Sequence, residues 1–404
     1  MSSNAAFKES SKIQLLQQCI VEAGWHFQSE GPILDDFLQH LDHPYKGKNP
    51  PVSSTVETKF LGVREAMGGT LGMIYRNRYH ISYGSVQELM EAQAKASSVG
   101  TAPYQPTAEF AATMEDVFSR LKQWRHERPP GTQGPTSYTS ACKTVLLWLE
   151  TTLSSHECTQ LIPFFPNHFV PEMLHMMDIK EDPELMSLAY HVFRHLPNVP
   201  HAVNQDHEFI SSLVNIGTTS TLWHQRLRVL INMQVIYFRR LFLISCEEQE
   251  RLFTSVSSML EDSQLEVRLG AAATLSGMIR CSPVRLRKGI LQELKSKFTT
   301  MLTQNPLPRR AAGAGTPTPD YNRIVLIRHA AVLGLGALIQ AFPYTSPPPG
   351  WLPEVLATLA SRAAGDPGAV GKSVKTALGE FKKTRQDTWH VDVKVHSFPL
   401  GSPR

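Results

Sequence analysis

Cysteine is scarce in this sequence, and its few copies are scattered. Five cysteines occur among 404 residues, and no two of them form a C-x-x-C pair. An odd and dispersed set argues against a disulfide framework and against a zinc ribbon. The cysteine usage therefore favours a protein of a reducing compartment. The five are Cys19, Cys142, Cys158, Cys246 and Cys281.

The sequence also lacks long uncharged apolar runs and a marked charge imbalance. It opens without a basic segment followed by an apolar core, and no run of eighteen apolar residues is free of charge. We therefore expect a soluble, intracellular protein with no membrane contact. Lys and Arg number 40 against 36 Asp and Glu, and the resulting net charge of +4 predicts no direct sequence-specific binding of nucleic acid.

Motifs for catalysis or metal binding are missing as well. The sequence contains no H-E-x-x-H zinc motif and no G-x-S-x-G nucleophile elbow. The segment GDPGAVGKS (365–373) resembles a phosphate-binding loop, but five residues separate Gly365 from Gly371, where the Walker A motif has four. We interpret this segment as a turn between two helices. The sequence predicts a protein with no catalytic residues and no metal site.

Helical periodicity dominates what is present, and alternating strand patterns are nearly absent. Apolar residues recur three and four positions apart in AEFAATMEDVFSRLKQW (108–124) and in YTSACKTVLLWLETTL (138–153). Proline usually falls between such segments, where a helix cannot continue. The pattern predicts an all-α fold.

One helical segment recurs in degenerate form along the chain. DSQLEVRLGAAATLSGM (262–278) is echoed at 62–74, 182–196, 324–338 and 366–381 by an Asp-led turn or a Val/Ile beside a basic residue, then small residues, then leucine. Asp182 and Asp262 lie 80 residues apart, which is two units of about 40, the period of HEAT-type helix pairs. We therefore predict an α-solenoid of HEAT-like helix-pair repeats.

Four residues are predicted to hold these repeats together: Asp262, Val267, Arg268 and Asp366. Asp262 is placed to cap the following helix at its N-terminus. Arg268 is predicted to lie along the neighbouring repeat and to donate to a carboxylate or to helix-end carbonyls there. A solvated Arg268 on an ordinary amphipathic helix is the alternative. One apolar stripe is predicted to face the partner helix, formed by Val267, Ala271, Thr274, Leu275 and Met278.

The predicted domain boundaries follow these repeats. HEAT-like repeats are expected over 1–250, with an insertion at 47–61, and again over 251–302. The Pro-, Gly- and Thr-rich segment 303–322 is predicted to be a mobile loop. A further helix-pair region is expected over 323–389, followed by a divergent, irregular tail at 390–404.

One stretch carries a local excess of positive charge. Between Arg285 and Arg328 nine basic residues face only Glu293 and Asp320, an excess of +7. Such a patch suits an acidic partner or a polyphosphate, and a solvated face with a flexible loop is the alternative. The predicted patch comprises Arg285, Arg287, Lys288, Lys295, Lys297, Arg309 and Arg310, and the count also includes Arg323 and Arg328.

Several of these segments together resemble a known family. SSMLEDSQLEVRLGAAATLSGMIRC (257–281), RHAAVLGLGALIQAFPY (328–344), GWLPEVLATLA (350–360) and VKTALGEFKKTRQDTW (374–389) are similar in order and spacing to the C-terminal region of the large HEAT-repeat proteasome activators. HLDHPYK with GVREAMGG is similar to an upstream repeat of that family. The resemblance thus covers most of residues 40–389, and the chain is much shorter than full family members.

The resemblance implies a function. The family caps the end of the 20S proteasome, contacts its α-ring, and promotes peptide entry without ATP or ubiquitin. It also implies location in nucleus and cytoplasm, roles in DNA repair and spermatogenesis, and turnover of acetylated histones. No cofactor is expected, although the family's binding of highly phosphorylated inositols would suit the basic patch. A non-activating HEAT adaptor and an acetyl-lysine histone reader are the alternatives.

The sequence departs from the family in two places. Family members end in a hydrophobic-Tyr-any tripeptide that helps to open the proteasome gate, whereas this sequence ends in Ser402-Pro403-Arg404. An acetyl-lysine site ascribed to the family uses an aromatic where this chain has Phe242 and an Asn-Phe pair where it has Ser282-Pro283. Proline has neither an N–H nor an amide side chain to replace the asparagine. Phe242 is therefore expected to be a core residue.

Overall fold

The structure is a computed structural model, and it describes residues 87, 88, 91, 106–154, 160–199, 203–308 and 318–387, with only the backbone described at 203–205 and 285–286. These residues contain no strand, so the all-α prediction is confirmed. Twelve α-helices lie within the described ranges: α1 Ala108–Glu127, α2 Ser137–Ser154, α3 Val170–Met176, α4 Pro183–His195, α5 Val203–Thr219, α6 Trp223–Arg239, α7 Cys246–Met259, α8 Leu265–Cys281, α9 Val284–Gln304, α10 Pro319–Gln340, α11 Leu352–Arg362 and α12 Gly368–Thr384.

The chain divides into two compact units, Met1–Ser212 and Leu213–Arg404. This division falls inside α5, and it differs from the repeat boundary predicted at 250. The predicted insertion at 47–61, the echoed segment at 62–74 and the tail at 390–404 lie outside the described residues. Of the predicted loop 303–322, residues 309–317 also lie outside them, and helices occupy its two ends, since α9 extends to Gln304 and α10 begins at Pro319.

The described part of the first unit packs α2 against α1 and α4. Between α2 and α3 the chain winds through a short 3-10 helix, Ile162–Phe164, and one turn of π-helix, Phe165–Phe169. Aromatic rings from this segment meet Phe110 and Phe118 of α1, in contacts that bury the face of that helix. Asp182 caps α4 by accepting from the Leu185 N–H at 3.1 Å, and it also pairs with Lys143 of α2 at 3.0 Å.

The second unit is built from consecutive helix pairs. Helix α7 packs on α8, α9 on α10 and α11 on α12, while the even-numbered helices α6, α8, α10 and α12 form a row in which each packs on the next. The helix-pair repeats predicted from the sequence are confirmed for this unit.

The apolar stripe predicted on α8 is confirmed, because Val267, Ala271, Thr274, Leu275 and Met278 are all buried. Close approach to α6 depends on glycine as much as on alanine. A Cβ at Gly270 would lie 2.6 Å from Leu227, and one at Gly277 would lie 2.3 Å from the Gln234 side chain. The third alanine of the run, Ala273, is exposed.

Helix α10 forms the centre of the second unit. By length and composition alone it could cross a membrane, yet 67% of its apolar window is buried inside the protein, as in a core helix. Its Gly334 lies against the ring of Phe298 on α9, where an added Cβ would meet the ring at 2.4 Å. The small residues echoed along the sequence therefore mark the places where helices of this unit come closest.

Candidate functional site

The side chains that distinguish the second unit lie at its two edges. We term one the ion-pair edge, formed by the turns that lead into α8 and α12, residues 260–264 and 363–367. The other is the aromatic edge, formed by the residues that follow or end α6, α8 and α10, namely 238–245, 280–288 and 341–345. Hydrogen bonds join neighbouring helix ends at the aromatic edge. The hydroxyl oxygens of Tyr237 and Ser282 lie 2.6 Å apart, and Arg280 donates to the Gln340 carbonyl at 2.7 Å.

Two largely buried ion pairs define the ion-pair edge. Arg226 of α6 donates Nε–H to Asp262 Oδ2 at 2.6 Å and a terminal N–H to Oδ1 at 2.9 Å. Arg328 of α10 holds Asp366 in the same forked way, at 2.7 and 3.2 Å. Both guanidinium groups also donate to backbone carbonyls, so each pair joins a helix to the turn of the next repeat.

Arg328 has the larger set of partners. Besides Asp366, it donates to the carbonyls of Leu302, Asn305 and Arg362, which are exposed by the ends of α9 and α11. Its side chain is 4% exposed and that of Asp366 is 9% exposed. The sequence count placed Arg328 among the basic residues available to a partner. That interpretation was wrong, because its buried guanidinium donates its hydrogen bonds to groups inside the fold.

Asp262 acts in the repeat, but not as the predicted N-cap. The N-cap of α8 is Gln264, which makes no side-chain capping bond. Asp262 instead accepts from the Gln264 N–H at 2.8 Å across the turn, and its carboxylate is held by Arg226. Burial raises the pKa of Asp262, but the hydrogen bonds from Arg226 and from the Gln264 N–H outweigh it and leave the pKa below its usual range.

Arg268 reaches the neighbouring repeat, as predicted, and the solvated alternative is excluded. Its Nε–H donates to His329 Nδ1 of α10 at 3.1 Å, while a terminal N–H donates to the carbonyls of Asp262 and Ser263 in its own repeat. No acidic residue stands at 304–307, the spacing at which Arg226 and Arg328 find their aspartates. Arg268 therefore uses carbonyls and a histidine instead.

His329 continues this contact to a third helix. Because Nδ1 accepts from Arg268, the ring proton lies on Nε2, which donates to Ser373 Oγ of α12 at 2.9 Å. Burial and the neighbouring charge of Arg268 lower the pKa of His329 to about 4. A neutral imidazole thus joins α8, α10 and α12 in one line of hydrogen bonds.

Large apolar side chains are exposed mainly at the aromatic edge. Among the described residues, the five large hydrophobic side chains with the highest exposed fractions all lie there: Phe242 at 87%, Tyr344 at 77%, Val284 at 63%, Phe238 at 62% and Leu243 at 51%. Contiguous exposed apolar groups are uncommon on soluble proteins and mark sites of interaction. This edge is therefore the candidate interaction surface of the unit.

The residues compared with an acetyl-lysine site also lie at this edge, and one of them, Phe242, differs from expectation. Phe242 was predicted to be a core residue, and it is instead the most exposed large apolar side chain described. Ser282 is buried, its hydroxyl bonded to Tyr237 and to the Met278 carbonyl. Pro283 is the N-cap of α9 and makes no side-chain bond. Ser282 and Pro283 thus offer no amide donor that could hold an acetyl group.

Within the predicted basic patch, most described side chains are engaged inside the protein. Lys295 pairs with Glu354 at 2.7 Å, and Lys297 donates to Ser257 at 2.9 Å. Arg287 donates to the Ser282 carbonyl at 2.9 Å and lies over the Phe342 ring. Lys288 is exposed. The side chains of Arg285, Arg309 and Arg310 lie outside the described part, and the binding of a polyphosphate stays a prediction.

The segment GDPGAVGKS forms the turn between α11 and α12, as interpreted from the sequence. Asp366 serves the ion pair, and Gly368 adopts a positive φ of 64° at the start of α12. Gly371 allows the Asp366 carbonyl to approach, since an added Cβ would lie 2.2 Å from that oxygen. Within the described ranges, no group of three or more His, Cys, Asp or Glu side chains could hold a metal ion.

Sequence reasoning missed the two buried ion pairs and the aromatic edge. A signal for the pairs was present, because Arg226 and Arg328 precede Asp262 and Asp366 by 36 and 38 residues, close to the repeat length. Lys143 and Asp182 repeat this spacing in the first unit. The aromatic edge has no such signal, because Phe238 and Phe242 follow the same apolar pattern as buried residues of α6.

Comparison with known proteins shows a sequence match to one protein family. Residues 325–398 match the family described as proteasome activator complex subunit 4-like, C-terminal. This match begins in α10 and continues past α12 to residue 398, well into the tail predicted to diverge after Trp389. Arg328, His329 and Ser373 therefore lie within the matched range.

The sequence relatives are also named proteasome activators. The chain is 24% identical over 399 residues to proteasome activator BLM10 of Saccharomyces cerevisiae, which covers 96% of this chain and 17% of the relative. It is 30% identical over 257 residues to human proteasome activator complex subunit 4, covering 61% of this chain and 13% of the relative. Zebrafish subunit 4B is 34% identical over 173 residues, 42% of this chain and 9% of the relative.

The chain spans about a sixth or less of the length of these relatives. Among solved structures, importin beta aligns over 95% of this chain and 40% of its own with 11% identity, at a TM-score of 0.33 that is too low to define a shared fold. The sequence matches, in contrast, cover from 42% to 96% of this chain, and each relative is named a proteasome activator. The chain is thus similar to the large proteasome activators, and its residues 325–398 match the family described as proteasome activator complex subunit 4-like, C-terminal.

Proposed function

We propose that this chain acts as a non-catalytic helical part of a proteasome activator. The observation that carries the proposal is the match of residues 325–398 to the C-terminal domain of the subunit 4-like family, supported by similarity to a yeast activator over 96% of the chain. Within the described part of the matched range, α10, α11 and α12 pack together, and the Arg328–Asp366 ion pair joins α10 to the turn before α12. A folded family domain can act as a binding surface without supplying catalytic groups.

The finer form of the proposal concerns the partner and the outcome. The chain would bind the α-ring of the 20S proteasome and promote peptide entry without ATP or ubiquitin, in nucleus and cytoplasm. Turnover of acetylated histones belongs to the same proposal through the family resemblance. Direct reading of acetyl-lysine by Ser282-Pro283 is not part of it, because the Ser282 hydroxyl is buried and already bonded to Tyr237 and Met278.

The test uses the purified chain with purified 20S proteasome. Hydrolysis of a fluorogenic peptide is followed without ATP as the chain is added, and binding is followed by co-sedimentation. We expect both binding and a rise in hydrolysis that a covalent proteasome inhibitor abolishes. That control assigns the cleavage to the proteasome, because the inhibitor would leave cleavage by the added chain unchanged.

Two other results would change the proposal. Binding without faster hydrolysis would overturn activation and support a helical adaptor that occupies the proteasome without opening it. Absence of both binding and stimulation would overturn the proteasome role as a whole.

A further inference from the structure

The aromatic edge presents its apolar groups on fixed supports. The buried side chain of Gln249 on α7 donates to the carbonyls of Leu241 and Ile244, at 3.0 and 3.2 Å, and so holds both ends of the turn that carries Phe242 and Leu243. A turn whose backbone is held in this way loses little conformational entropy when a partner binds. Phe242 and Leu243 are thus preorganised for contact, although they add nothing to the core.

The neighbouring turn is held in a similar manner. Tyr237 and Ser282 join the end of α6 to the end of α8, and the Arg280 side chain joins α8 to the Gln340 carbonyl at the end of α10. Val284 and Tyr344 follow these joined ends, so the exposed side chains of three successive repeats lie along one edge. The exposed groups therefore form one surface across the repeats.

The charge along this edge is mainly positive. Arg239, Arg280 and Lys288 are exposed, and the sequence contains no Asp or Glu from 267 to 292. Glu247 and Glu248 at the start of α7 offset part of this charge, and Glu248 is buried. Arginine beside exposed aromatic rings is the composition that recurs at the centre of protein interfaces.

We propose that the aromatic edge is the surface of the second unit that binds a protein partner, through a segment in which apolar side chains alternate with carboxylates. The inference rests on the proposed function, since the partner sought is the proteasome. Apolar groups of the partner would cover Phe238, Phe242 and Leu243, while its carboxylates would face Arg239 and Lys288. Two exposed cations on the edge that carries the apolar side chains favour such a segment over a purely apolar or a basic one.

The first test needs no proteasome. A short fluorescent peptide alternating glutamate with leucine is titrated with the full chain, and fluorescence anisotropy gives its Kd. We expect binding that weakens at high salt, and at least a tenfold weaker Kd for the peptide with lysine in place of glutamate, about 1.4 kcal/mol. Equal binding of the two peptides would overturn the proposal.

Variants then locate the peptide on the edge. The triple variant Phe242→Ser, Leu243→Ser, Tyr344→Ser and the charge reversal Arg239→Glu, Lys288→Glu should each weaken binding at least about tenfold. The matched control is Leu265→Ser with Leu269→Ser, two leucines of α8 that are 38% and 46% exposed and lie outside the aromatic edge. Control and wild type should bind alike, and far-UV circular dichroism checks that all variants fold. Unchanged binding by the triple variant, or equal loss in the control, would overturn the proposal.

The second test repeats the variants with purified 20S proteasome. Loss of co-sedimentation in the triple variant but not in the control would support the edge as the contact. If wild type and triple variant sediment equally well with the proteasome, the edge proposal fails while the proposed function stands. If the peptide binds at the edge but the wild-type chain does not bind the proteasome, the proposed function fails, and the edge is a peptide-binding surface whose partner is not the proteasome. Concentration-dependent self-association that the triple variant abolishes would assign the edge to a second copy and overturn the inference.

Discussion

The two edges of the second unit use arginine in different ways. At the ion-pair edge, the buried Arg328 and the partly buried Arg226 fork onto Asp366 and Asp262. At the aromatic edge, Arg239 is exposed beside Phe238, which is 62% exposed itself. Arginine thus joins repeats at both edges, through Arg226 and Arg328 at one and Arg280 at the other, but only the aromatic edge presents an exposed arginine, Arg239, beside an exposed aromatic ring.

The difference shows how a repeat protein can separate stability from binding. Helix ends leave carbonyls without partners, and the buried guanidinium groups satisfy several of them at the ion-pair edge. At the aromatic edge that task is met by Gln249, Ser282 and Arg280. Phe242 and Tyr344 there contribute little burial and are available for contact. Substitutions at the two edges should therefore affect different measurements.

The largest expected effect is that of Arg328→Met at the ion-pair edge. The change leaves Asp366 and the carbonyls of Leu302 and Asn305 buried without their donor, and breaking such a pair costs about 3 to 5 kcal/mol. The denaturation midpoint of the full chain measures the loss. Arg323→Met, exposed on the same helix, is the matched control and should stay within about 0.5 kcal/mol. Equal effects of both variants would contradict the assigned role.

Lowering the pH should decrease the stability of the folded chain through protonation of His329, which joins α8, α10 and α12. Its pKa is about 4 in the folded protein and 6.5 ordinarily, so the unfolded chain binds this proton first as the pH falls. The neutral ring contributes its full stabilisation above pH 6.5. The free energy of unfolding then decreases by about 3 kcal/mol as the pH falls to 4. His329→Gln keeps an acceptor for Arg268 and a donor for Ser373, so it should flatten this part of the stability profile. The same slope in both proteins would refute the assignment.

Arg268→Ala tests the one contact between repeats in which the arginine donates to a histidine and to carbonyls and pairs with no aspartate. It removes three hydrogen bonds but strands no carboxylate, and we expect a loss of about 1 to 3 kcal/mol, smaller than for Arg328→Met. Arg239→Ala at the aromatic edge, compared by the same denaturation curve, should change stability by less than about 0.5 kcal/mol. A midpoint unaffected by Arg268→Ala would mean that these contacts contribute nothing to stability.

Phe242→Ser should have the smallest effect on stability. The side chain is 87% exposed, so its removal returns little apolar area to water, and we expect a change within about 0.5 kcal/mol. Phe298→Ser on α9 gives the contrast, because that ring is fully buried against Gly334 and its loss should cost about 3 to 5 kcal/mol. Thermal unfolding that shifted equally in both variants would show that Phe242 belongs to the core after all.

Much of the repeat architecture could be predicted from the sequence, because it depends on local patterns. The stripe from Val267 to Met278 has helical spacing, and the Asp-led turns at 182, 262 and 366 fall where one helix ends and the next begins. The role of Asp262 was predicted only in part. A carboxylate in that turn can cap the helix or pair with a cation from another repeat, and the choice depends on Arg226, 36 residues away.

The sequence by itself determined the helical class, the repeat period, the buried stripe of α8 and the resemblance to proteasome activators, since each depends on residue types at short or regular spacing. Only the tertiary structure decided which arginines are buried, that Arg328 leaves the basic patch, and that Phe242 is exposed while Ser282 is not. Neighbouring residues of one helix face different surroundings once other repeats pack on it. Burial and pairing therefore depend on residues about 40 positions away, which no local pattern specifies.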